Sequence, residues 1–325
     1  TGGDGSAVDA DDSDITPPGP DDTTTPPPEE PADTGGDGSA VDADDSDTTT
    51  PDPVDPLALI HANRTPTRLV QGPGDNFYVS DALVDAVFVY TPDLELVGEF
   101  KVPPRPLGVA VDAYGNVYVG SDANDTVDVY DQTGIHLRTI VSGIQMPTDL
   151  ALDDAGQLYV VDSLGDNVRV YDSNGAWLRD LGWSGDAPGQ LRFPVAVAVS
   201  DNAGEVYVAD QGHGLIHVYD MQGAFLRSYG GRVPAFTSAW QGKFVKLQSL
   251  AVDSQGRLHA LDSYNSKTQI LDAVTGKFIE AYGGFGTGAG QLNVPLDLWI
   301  DTSGKVVVTN SGNRRVEYIY TVSGG

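Results

Sequence analysis

The stretch PLGVAVDAYGNVYVGSDANDTVDVYDQTGIHLRTI, residues 106–140, decides the fold because the chain repeats its pattern. The next unit, PTDLALDDAGQLYVVDSLGDNVRVYDSNGAWLRDL, covers residues 147–181, and a third begins with PVAVAVSDNAGEVYVAD at Pro194. The first unit begins at Thr67, a weaker fifth unit at Leu247 and the sixth unit at Pro295. Self-similarity at a period of about 40–50 residues is typical of β-propellers, in which each repeat forms one four-stranded blade.

Each unit contains the same series of strands and turns. A short apolar run such as GVAVD predicts a buried inner strand, and an Asp-x-x-Gly turn, such as Asp112 to Gly115, leads into the second strand. No segment shows sustained helical periodicity. Equivalent positions in the third strands are Tyr90, Tyr130, Tyr171, Tyr219, Leu271 and Ile319, at spacings of 40, 41, 48, 52 and 48 residues. The sequence therefore predicts an all-β fold, a six-bladed β-propeller of four-stranded blades over residues 56–325.

The sixth unit ends after its third strand, so the ring needs an outer strand from elsewhere. Residues 57–62, just before the first unit, have the pattern of such a strand. We expect them to pair with residues 314–321 and to complete blade six. This closure would remove two sheet edges that could otherwise pair with other chains.

Residues 1–55 form a different region, an acidic tail rich in Thr, Pro and Asp. The segment TGGDGSAVDADDSD occurs at residues 1–14 and again, unchanged, at 34–47, and the tail has 17 Asp and Glu but no Lys, Arg or His. Such a segment cannot bury enough apolar surface to fold alone, so we expect an extended spacer. Three alternatives remain open: a glycosylated stalk, a Ca²⁺ site, and an arm that docks on a neighbouring subunit. The Thr candidates for glycosylation are Thr23, Thr24, Thr25, Thr48, Thr49 and Thr50, and the Ca²⁺ candidates are Asp42, Asp44, Asp45 and Asp47.

The charge of the chain excludes one class of partner. Of the net charge of −29, residues 56–325 carry about −12, from 30 acidic and 18 basic side chains. Phosphate backbones require clustered Lys and Arg, so we expect no nucleic acid partner.

No apolar run is long enough to span a membrane. The chain lacks cysteine, which excludes disulfides and thiolate metal sites. It begins at Thr1, without Met, which favours a form processed after a signal peptide and hence a secreted or cell-surface protein; artificial trimming is the alternative.

The repeat pattern resembles the NHL-repeat family of β-propellers, over about four-fifths of the chain. The Asn and Arg that such repeats often carry before the third strand are present as Asn313 and Arg315, and partly as Asn265 and Lys267. The resemblance implies two kinds of enzyme as alternatives. The peptide-amidating lyase of this type holds zinc with several His ligands on one face, and lactonase-type six-bladed propellers hold a central calcium with Asn, Asp and Glu.

The histidines of this chain do not predict such a zinc site. Of the five, only His213 falls in a loop that should reach the ligand-binding face, while His217 and His259 lie within strands. We therefore expect that no three converge, whereas catalytic zinc needs three protein ligands. We assign no catalytic residue and no cofactor, with Ca²⁺ as an open possibility. A metal-dependent lyase or lactonase on the channel face remains the alternative function.

Two sets of residues are candidates for binding. An acidic residue ends the second strand of most units and should ring the channel face, either capping the next loop or forming a rim for a cation or a basic peptide. This ring consists of Asp81, Asp122, Asp162, Asp210, Asp262 and Asn310. The long insertion at 230–247 is the most basic and aromatic stretch of an acidic protein. Its candidate partner-binding residues are Arg232, Phe236, Trp240, Lys243, Phe244 and Lys246.

Together these features predict a non-enzymatic scaffold that is extracellular or on the cell surface and binds protein or glycan. Electrostatic complementarity links the basic loop to the acidic tail of another copy. Self-assembly through the tail into a fibre or surface layer is therefore a further hypothesis, and it implies a homo-oligomer.

Overall fold

A computed structural model describes residues 64–140, 143–233 and 240–322, and it shows the predicted six-bladed β-propeller. Each blade is an antiparallel sheet whose strands follow one another in chain order. Five of these sheets have four strands, and the sixth has three among the described residues. No helix in the described part of the chain is long and apolar enough to cross a membrane.

The strands of the first three blades have the following bounds. Blade one contains β1 (Pro66–Gln71), β2 (Phe77–Asp81), β3 (Ala86–Tyr90) and β4 (Leu96–Lys101). Blade two contains β5 (Pro106–Val111), β6 (Val117–Ser121), β7 (Thr126–Tyr130) and β8 (His136–Ile140). Blade three contains β9 (Pro147–Leu152), β10 (Leu158–Asp162), β11 (Asn167–Tyr171) and β12 (Trp177–Leu181).

The remaining blades follow the same order, and two single-turn 3₁₀ helices occur in loops. Blade four contains β13 (Pro194–Ser200), β14 (Glu205–Asp210), β15 (Leu215–Asp220) and β16 (Phe225–Gly230). Blade five contains β17 (Leu247–Val252), β18 (Arg257–Asp262), β19 (Lys267–Asp272) and β20 (Phe278–Gly283). Blade six contains β21 (Pro295–Ile300), β22 (Lys305–Asn310) and β23 (Arg315–Thr321). The 3₁₀ helices are Pro73–Asp75 and Ser311–Asn313.

The core lies between neighbouring blades, and alternation along each strand explains why. In β10, Leu158 and Val160 pack towards blade two, whereas Tyr159 and Val161 pack towards blade four. Successive side chains of a strand point to opposite faces, so a strand that is apolar on both faces belongs to a sheet covered on both sides. Six such clusters fill the six junctions, and the first strands contact one another around the ring from β1 to β21 and back to β1.

The Asp-x-x-Gly turns have the predicted geometry. In the turn after β5, the N–H of Gly115 donates to the carbonyl of Asp112 at 3.0 Å, and the φ of Gly115 is +85°. Asp112 Oδ1 accepts the N–H of Tyr114 at 2.9 Å and that of Asn116 at 2.8 Å. Because a left-handed φ suits Gly and the Asp side chain satisfies the turn's donors, the motif fixes the hairpin.

Arginines of the fourth strands make polar contacts between blades. Arg138 in β8 donates to the carbonyl of Ser173 in blade three at 2.7 Å, and Arg179 in β12 donates to the carbonyl of Met221 in blade four. Arg227 in β16 donates to the carbonyl of Ala273 in blade five at 2.8 Å. These contacts explain why an arginine follows the leucine in the outer strands of the repeats.

The register of blade six corrects one predicted equivalence. In the other blades the first core residue of the second strand pairs with the repeated third-strand position, as Leu158 does with Tyr171. In blade six the corresponding residue, Val306, pairs with Tyr320, and Val307 pairs with Tyr318. The irregularity leaves Ile319 as the extra residue of a β-bulge, so Tyr320 occupies the repeated position. The predicted closing strand, 57–62, lies outside the described residues.

The strand order defines two faces of the propeller. Pro194, Asp210, Leu215 and Gly230 lie in register at one edge of blade four. That edge carries the loop entering the first strand and the loop between the second and third strands, so we call it the linker face. The opposite edge carries the tight turns and is called the turn face.

Candidate functional site

The predicted acidic ring lies on the linker face, but its side chains are buried and hydrogen-bonded to the backbone. Asp162 Oδ2 accepts the N–H of Gln145 at 3.0 Å, and its Oδ1 accepts those of Met146 at 3.1 Å and Gly165 at 3.0 Å. Asp81 and Asp262 likewise accept N–H groups of the preceding linker and the following loop. In blade six, Asn310 accepts the N–H of Asn293 at 2.8 Å. These carboxylates fasten the entering linker to the loop after the second strand.

Blade two departs from the predicted ring. Its register pairs Pro106 with Ser121, whereas the equivalent prolines of blades one and three pair with Asp81 and Asp162. Ser121 therefore occupies the ring position, and Asp122 was assigned one residue too late. Asp122 instead forms an ion pair with the exposed Arg105, with Nη2 and Oδ2 2.9 Å apart.

Arg68 in β1, which was not predicted from the sequence, makes contacts across the channel. Its guanidinium is buried, with 2 % of the residue exposed, and it donates to backbone carbonyls of four other blades. The carbonyl acceptors are Thr148, Val195, Gln248 and Leu296. Arg68 also lies 3.1 Å from Asp297 Oδ1 and 3.6 Å from Asp149 Oδ1. A single Arg thus joins blade one to blades three, four, five and six across the channel.

The two acidic partners of Arg68 carry out further structural roles. Asp297 Oδ2 accepts the N–H of Leu69 at 2.9 Å, and Asp149 Oδ2 accepts that of Val197 at 2.9 Å. Burial raises the pKa of Asp149 to about 7; Arg68 opposes this shift, and the charge of Asp297 adds to it.

Beyond the Arg68 cluster, a cavity of about 190 Å³ lined mainly by aliphatic residues of the first strands continues along the channel axis. The Arg68 side chain, paired with two carboxylates, therefore closes this part of the channel.

The basic insertion on the linker face is held firmly at its base. The N–H of Phe244 donates to the carbonyl of Gly231 at 2.9 Å, and the N–H groups of Val245 and Lys246 donate to Asp262 at 2.8 and 3.1 Å. A bridge between Arg232 and Phe244 sets the two ends of the insertion side by side. These contacts fix the backbone at the two described ends of the insertion.

The structure divides the predicted partner-binding residues of this insertion. Arg232, Lys243 and Lys246 are exposed, and none of them forms an ion pair with any described residue. Phe244 is fully buried in the core between blades four and five, so its assignment to a partner surface was wrong. Trp240 is half-buried against Phe278, with Lys267 Nζ 4.9 Å from its ring centroid. Phe236 lies outside the described residues.

Exposed apolar side chains accompany these cations on the linker face. Phe285 is 76 % exposed and Trp183 is 62 % exposed, and both lie in linkers that enter a first strand. Leu83, Leu164 and Tyr264 are also exposed, in loops between second and third strands. The face therefore offers both basic and apolar contacts.

Two histidines and an aspartate converge in blade four, a cluster that was not predicted from the sequence. His213 Nδ1 lies 2.6 Å from Asp210 Oδ2, and His217 Nε2 lies 3.2 Å from the same oxygen. Asp210 and His217 are diagonal neighbours on one face of the β14–β15 pair, because Asp210 pairs with Leu215 and Val208 with His217. The short loop from Gln211 to Gly214 then folds His213 back over them. The signal in the sequence was the spacing Asp-x-x-His-x-x-x-His across a tight hairpin.

The two histidines of this cluster differ in their hydrogen-bond partners. His213 Nε2 lies 2.9 Å from Asp186 Oδ1, so the ring contacts a carboxylate on each side. Burial opposes protonation of His213, but its hydrogen bonds with Asp186 and Asp210 outweigh that effect and raise its pKa. His217 is 2 % exposed, and neither of its ring nitrogens has a hydrogen-bond partner among the described residues.

The remaining predicted site residues lie in the tail. The Thr candidates for glycosylation and the Asp candidates for Ca²⁺ all fall within residues 1–63, outside the described part of the chain. They stay predictions.

Comparison with known proteins identifies the architecture of the chain. No model of a known protein family matches it, so the NHL assignment stays a prediction. A catalytically inactive virginiamycin B lyase from Staphylococcus aureus with quinupristin is similar at 10 % identity and a TM-score of 0.57, covering 80 % of this chain and 85 % of that one. A streptogramin B lyase is similar at 11 % identity and a TM-score of 0.56, covering 75 % of each chain. A hydrazine synthase from Kuenenia stuttgartiensis is similar at 13 % identity and a TM-score of 0.58, covering 80 % of this chain and 96 % of that one. At these identities the likeness shows the propeller fold alone.

Proposed function

We propose that this protein is a non-enzymatic extracellular scaffold whose linker face binds an acidic, extended polypeptide. The observation that carries the proposal is the set of three exposed cations, Arg232, Lys243 and Lys246, that lack an ion pair among the described residues. Two other exposed arginines of this face form ion pairs, Arg105 with Asp122 and Arg192 with Asp186, whereas the exposed Arg314 forms none among the described residues. Unpaired cations in a domain with an excess of carboxylates are available for a partner of opposite charge.

The acidic tail of a second copy of the chain fits the chemistry of that partner. Residues 1–55 carry 17 carboxylates and no cation, and their many prolines favour an extended backbone. An extended segment can lie across several loops of a rigid face and place its charges against successive cations. Exposed apolar groups such as Trp183 and Phe285 would contact its Val and Pro side chains. A tail that binds the next copy would generate a head-to-tail assembly.

The alternative of a metal-dependent lyase or lactonase on the channel face meets a physical obstacle. The guanidinium of Arg68 lies across the channel where a central cation would have to bind, and Asp149 and Asp297 already neutralise it. A divalent cation at this position would have to displace the guanidinium from the two carboxylates and from the backbone carbonyls to which it donates. This argument supports the scaffold over an enzyme with its metal in the channel.

The proposal is tested by binding a fluorescent peptide of residues 34–55 to the full-length protein at low ionic strength, with anisotropy as the readout. In the variant Lys243→Glu/Lys246→Glu we expect binding at least about tenfold weaker, because two attractive surface contacts become repulsive at about 0.5–1 kcal/mol each. The matched control Lys277→Glu/Lys305→Glu changes the charge equally on the turn face and should bind like the unmodified protein. Equal weakening in both variants would show a net-charge effect and would refute a site on the linker face.

Extracellular location and glycosylation of the tail are further parts of the proposal. Thr clusters beside Pro, such as residues 23–25 and 48–50, suit O-linked glycans on a stalk. We expect the protein from its native source to have an intact mass above that of the sequence. A mass equal to the sequence mass would exclude the glycans and leave an unmodified acidic arm.

A further inference from the structure

The cluster of Asp210, His213 and His217 has the composition and layout of a metal centre. Each side chain directs one ligand atom to a common point, and these three atoms lie within 4.8 Å of one another. Tetrahedral zinc, with bonds of about 2.0–2.1 Å to nitrogen and oxygen, places its ligand atoms about 3.4 Å apart. The observed separations from Asp210 Oδ2, 2.6 Å to His213 Nδ1 and 3.2 Å to His217 Nε2, therefore need only small shifts to accept an ion.

The hydrogen bonds of Asp210 orient its second oxygen towards the two imidazoles. Its Oδ1 accepts the backbone N–H groups of Arg192 at 3.2 Å and of His213 at 3.3 Å. The other oxygen, Oδ2, contacts the two ring nitrogens. Backbone anchoring of one carboxylate oxygen thus fixes the direction in which the other faces.

His213 has the outer partner that metal-bound histidines usually have. Its Nδ1 faces the cluster, and its Nε2 lies 2.9 Å from Asp186 Oδ1. A carboxylate that accepts the second N–H of a ligating His fixes its tautomer and increases its basicity. Asp186 is itself held by Arg192, whose Nη2 lies 2.7 Å away.

His217 provides an independent observation that points to a ligand at this cluster. A neutral buried imidazole carries one N–H and one lone pair, and leaving either without a partner is unfavourable. Neither ring nitrogen of His217 has a hydrogen bond among the described residues, although Nε2 faces Asp210. An ion bound at the common point would bind Nε2.

We propose that Asp210, His213 and His217 bind a divalent transition-metal ion, with zinc as the best match. Two imidazoles and a carboxylate suit Zn²⁺ better than Ca²⁺ or Mg²⁺, which prefer oxygen ligands alone. Asp210 would supply one negative charge at the ion, and Asp186, itself paired with Arg192, would be the outer carboxylate. The site lies in blade four on the linker face, separate from the channel, and it is independent of the proposed binding of acidic peptides.

The test uses full-length protein freed of metal by a chelator and titrated with Co²⁺ as a spectroscopic probe. Excess Mg²⁺ is present to occupy carboxylate-only sites in the acidic tail, which contains no His. We expect one Co²⁺ per chain, with the intense visible bands of a low-coordinate nitrogen site, and displacement of the cobalt by one equivalent of Zn²⁺. Zn²⁺ should also raise the thermal unfolding midpoint, because it binds the folded state alone.

Variants assign the signal to the cluster. His213→Gln should abolish the cobalt bands, and Asp186→Asn, which removes only the outer partner, should weaken binding about 10–100-fold. The control His136→Gln changes a half-exposed His paired with Asp128 in blade two and should leave the spectrum unchanged. If His213→Gln fails to fold, Asp186→Asn decides the matter alone. Absence of the bands in the unmodified protein, or an equal affinity for Co²⁺ in Asp186→Asn and the unmodified protein, would overturn the proposal.

Discussion

Replacement of Arg68 by Met should destabilise the whole ring, because one side chain joins blade one to four others. The substitution keeps an unbranched apolar chain of similar length but removes every donor to the carbonyls of blades three to six. It also leaves the carboxylates of Asp149 and Asp297 buried without a cation. Removing one partner of a buried ion pair costs about 3–5 kcal/mol, and the unsatisfied carbonyls add to that cost. We therefore expect a loss of about 5 kcal/mol in the free energy of unfolding.

Urea unfolding followed by tryptophan fluorescence measures this loss in Arg68→Met and in a matched control. The control, Arg105→Met, breaks the ion pair with Asp122 at a position whose side chain is 61 % exposed, and exposed pairs contribute less than about 1 kcal/mol. Adding Asp149→Asn and Asp297→Asn to Arg68→Met should restore part of the stability, since both uncompensated charges then disappear.

The destabilisation should also depend on pH. Burial already raises the pKa of Asp149 to about 7, and loss of Arg68, which opposes that shift, raises it further. Above about pH 7 the folded variant then binds more protons than the folded unmodified protein, so its deficit grows as the pH rises through 7 to 8 and is smallest below pH 7. A deficit below about 1 kcal/mol at pH 8, equal to that of Arg105→Met, would refute the role assigned to Arg68.

Three further outcomes follow from other contacts. Phe244→Ala should cost about 3–5 kcal/mol in urea unfolding, because it empties a fully buried core position; a near-neutral result would restore its role as a surface contact. Asp253→Asn should cost about 2 kcal/mol at pH 7, because Asp253 accepts hydrogen bonds from Arg257 and contacts His259. Burial raises the pKa of Asp253, but His259 and Arg257 lower it overall to about 2, so this stabilisation is present above pH 4 and is lost as the pH falls towards 2; a pH-independent difference would contradict the assignment. Asp162→Ala should expose the linker at Gln145 and Met146 to faster amide hydrogen exchange than in the unmodified protein, and unchanged exchange there would show that the carboxylate does not hold the linker.

The fold could be predicted from the sequence because its signals are local and repeated. Apolar alternation and Asp-x-x-Gly turns each extend over a few residues and predict the strands and hairpins. Their recurrence along the chain predicts the number and order of the blades. The errors are of one residue, at Asp122 and Ile319, where a serine and a β-bulge interrupt the repeat. The extra residue at Ile319 shifts the register of β23 without changing the alternation of apolar residues along the strand.

The site residues were harder to predict because they depend on contacts across the ring and across a hairpin. Arg68 looks like any polar residue at a strand end until the ring places it opposite Asp149 and Asp297. His217 lies within a predicted strand, yet the β14–β15 register makes it a diagonal neighbour of Asp210. Phe244 lies in a basic, aromatic loop, but tertiary packing buries it beneath the exposed lysines.

Sedimentation velocity of the full-length protein at low and at high ionic strength tests the central claim, that the linker face takes the acidic tail of another copy. We expect association at low salt, dispersal to monomers at about 0.5 M salt through screening, and monomers at both in Lys243→Glu/Lys246→Glu. The control Lys277→Glu/Lys305→Glu should associate like the unmodified protein. A monomer under every condition, or association that survives reversal of both linker-face lysines, would contradict the account.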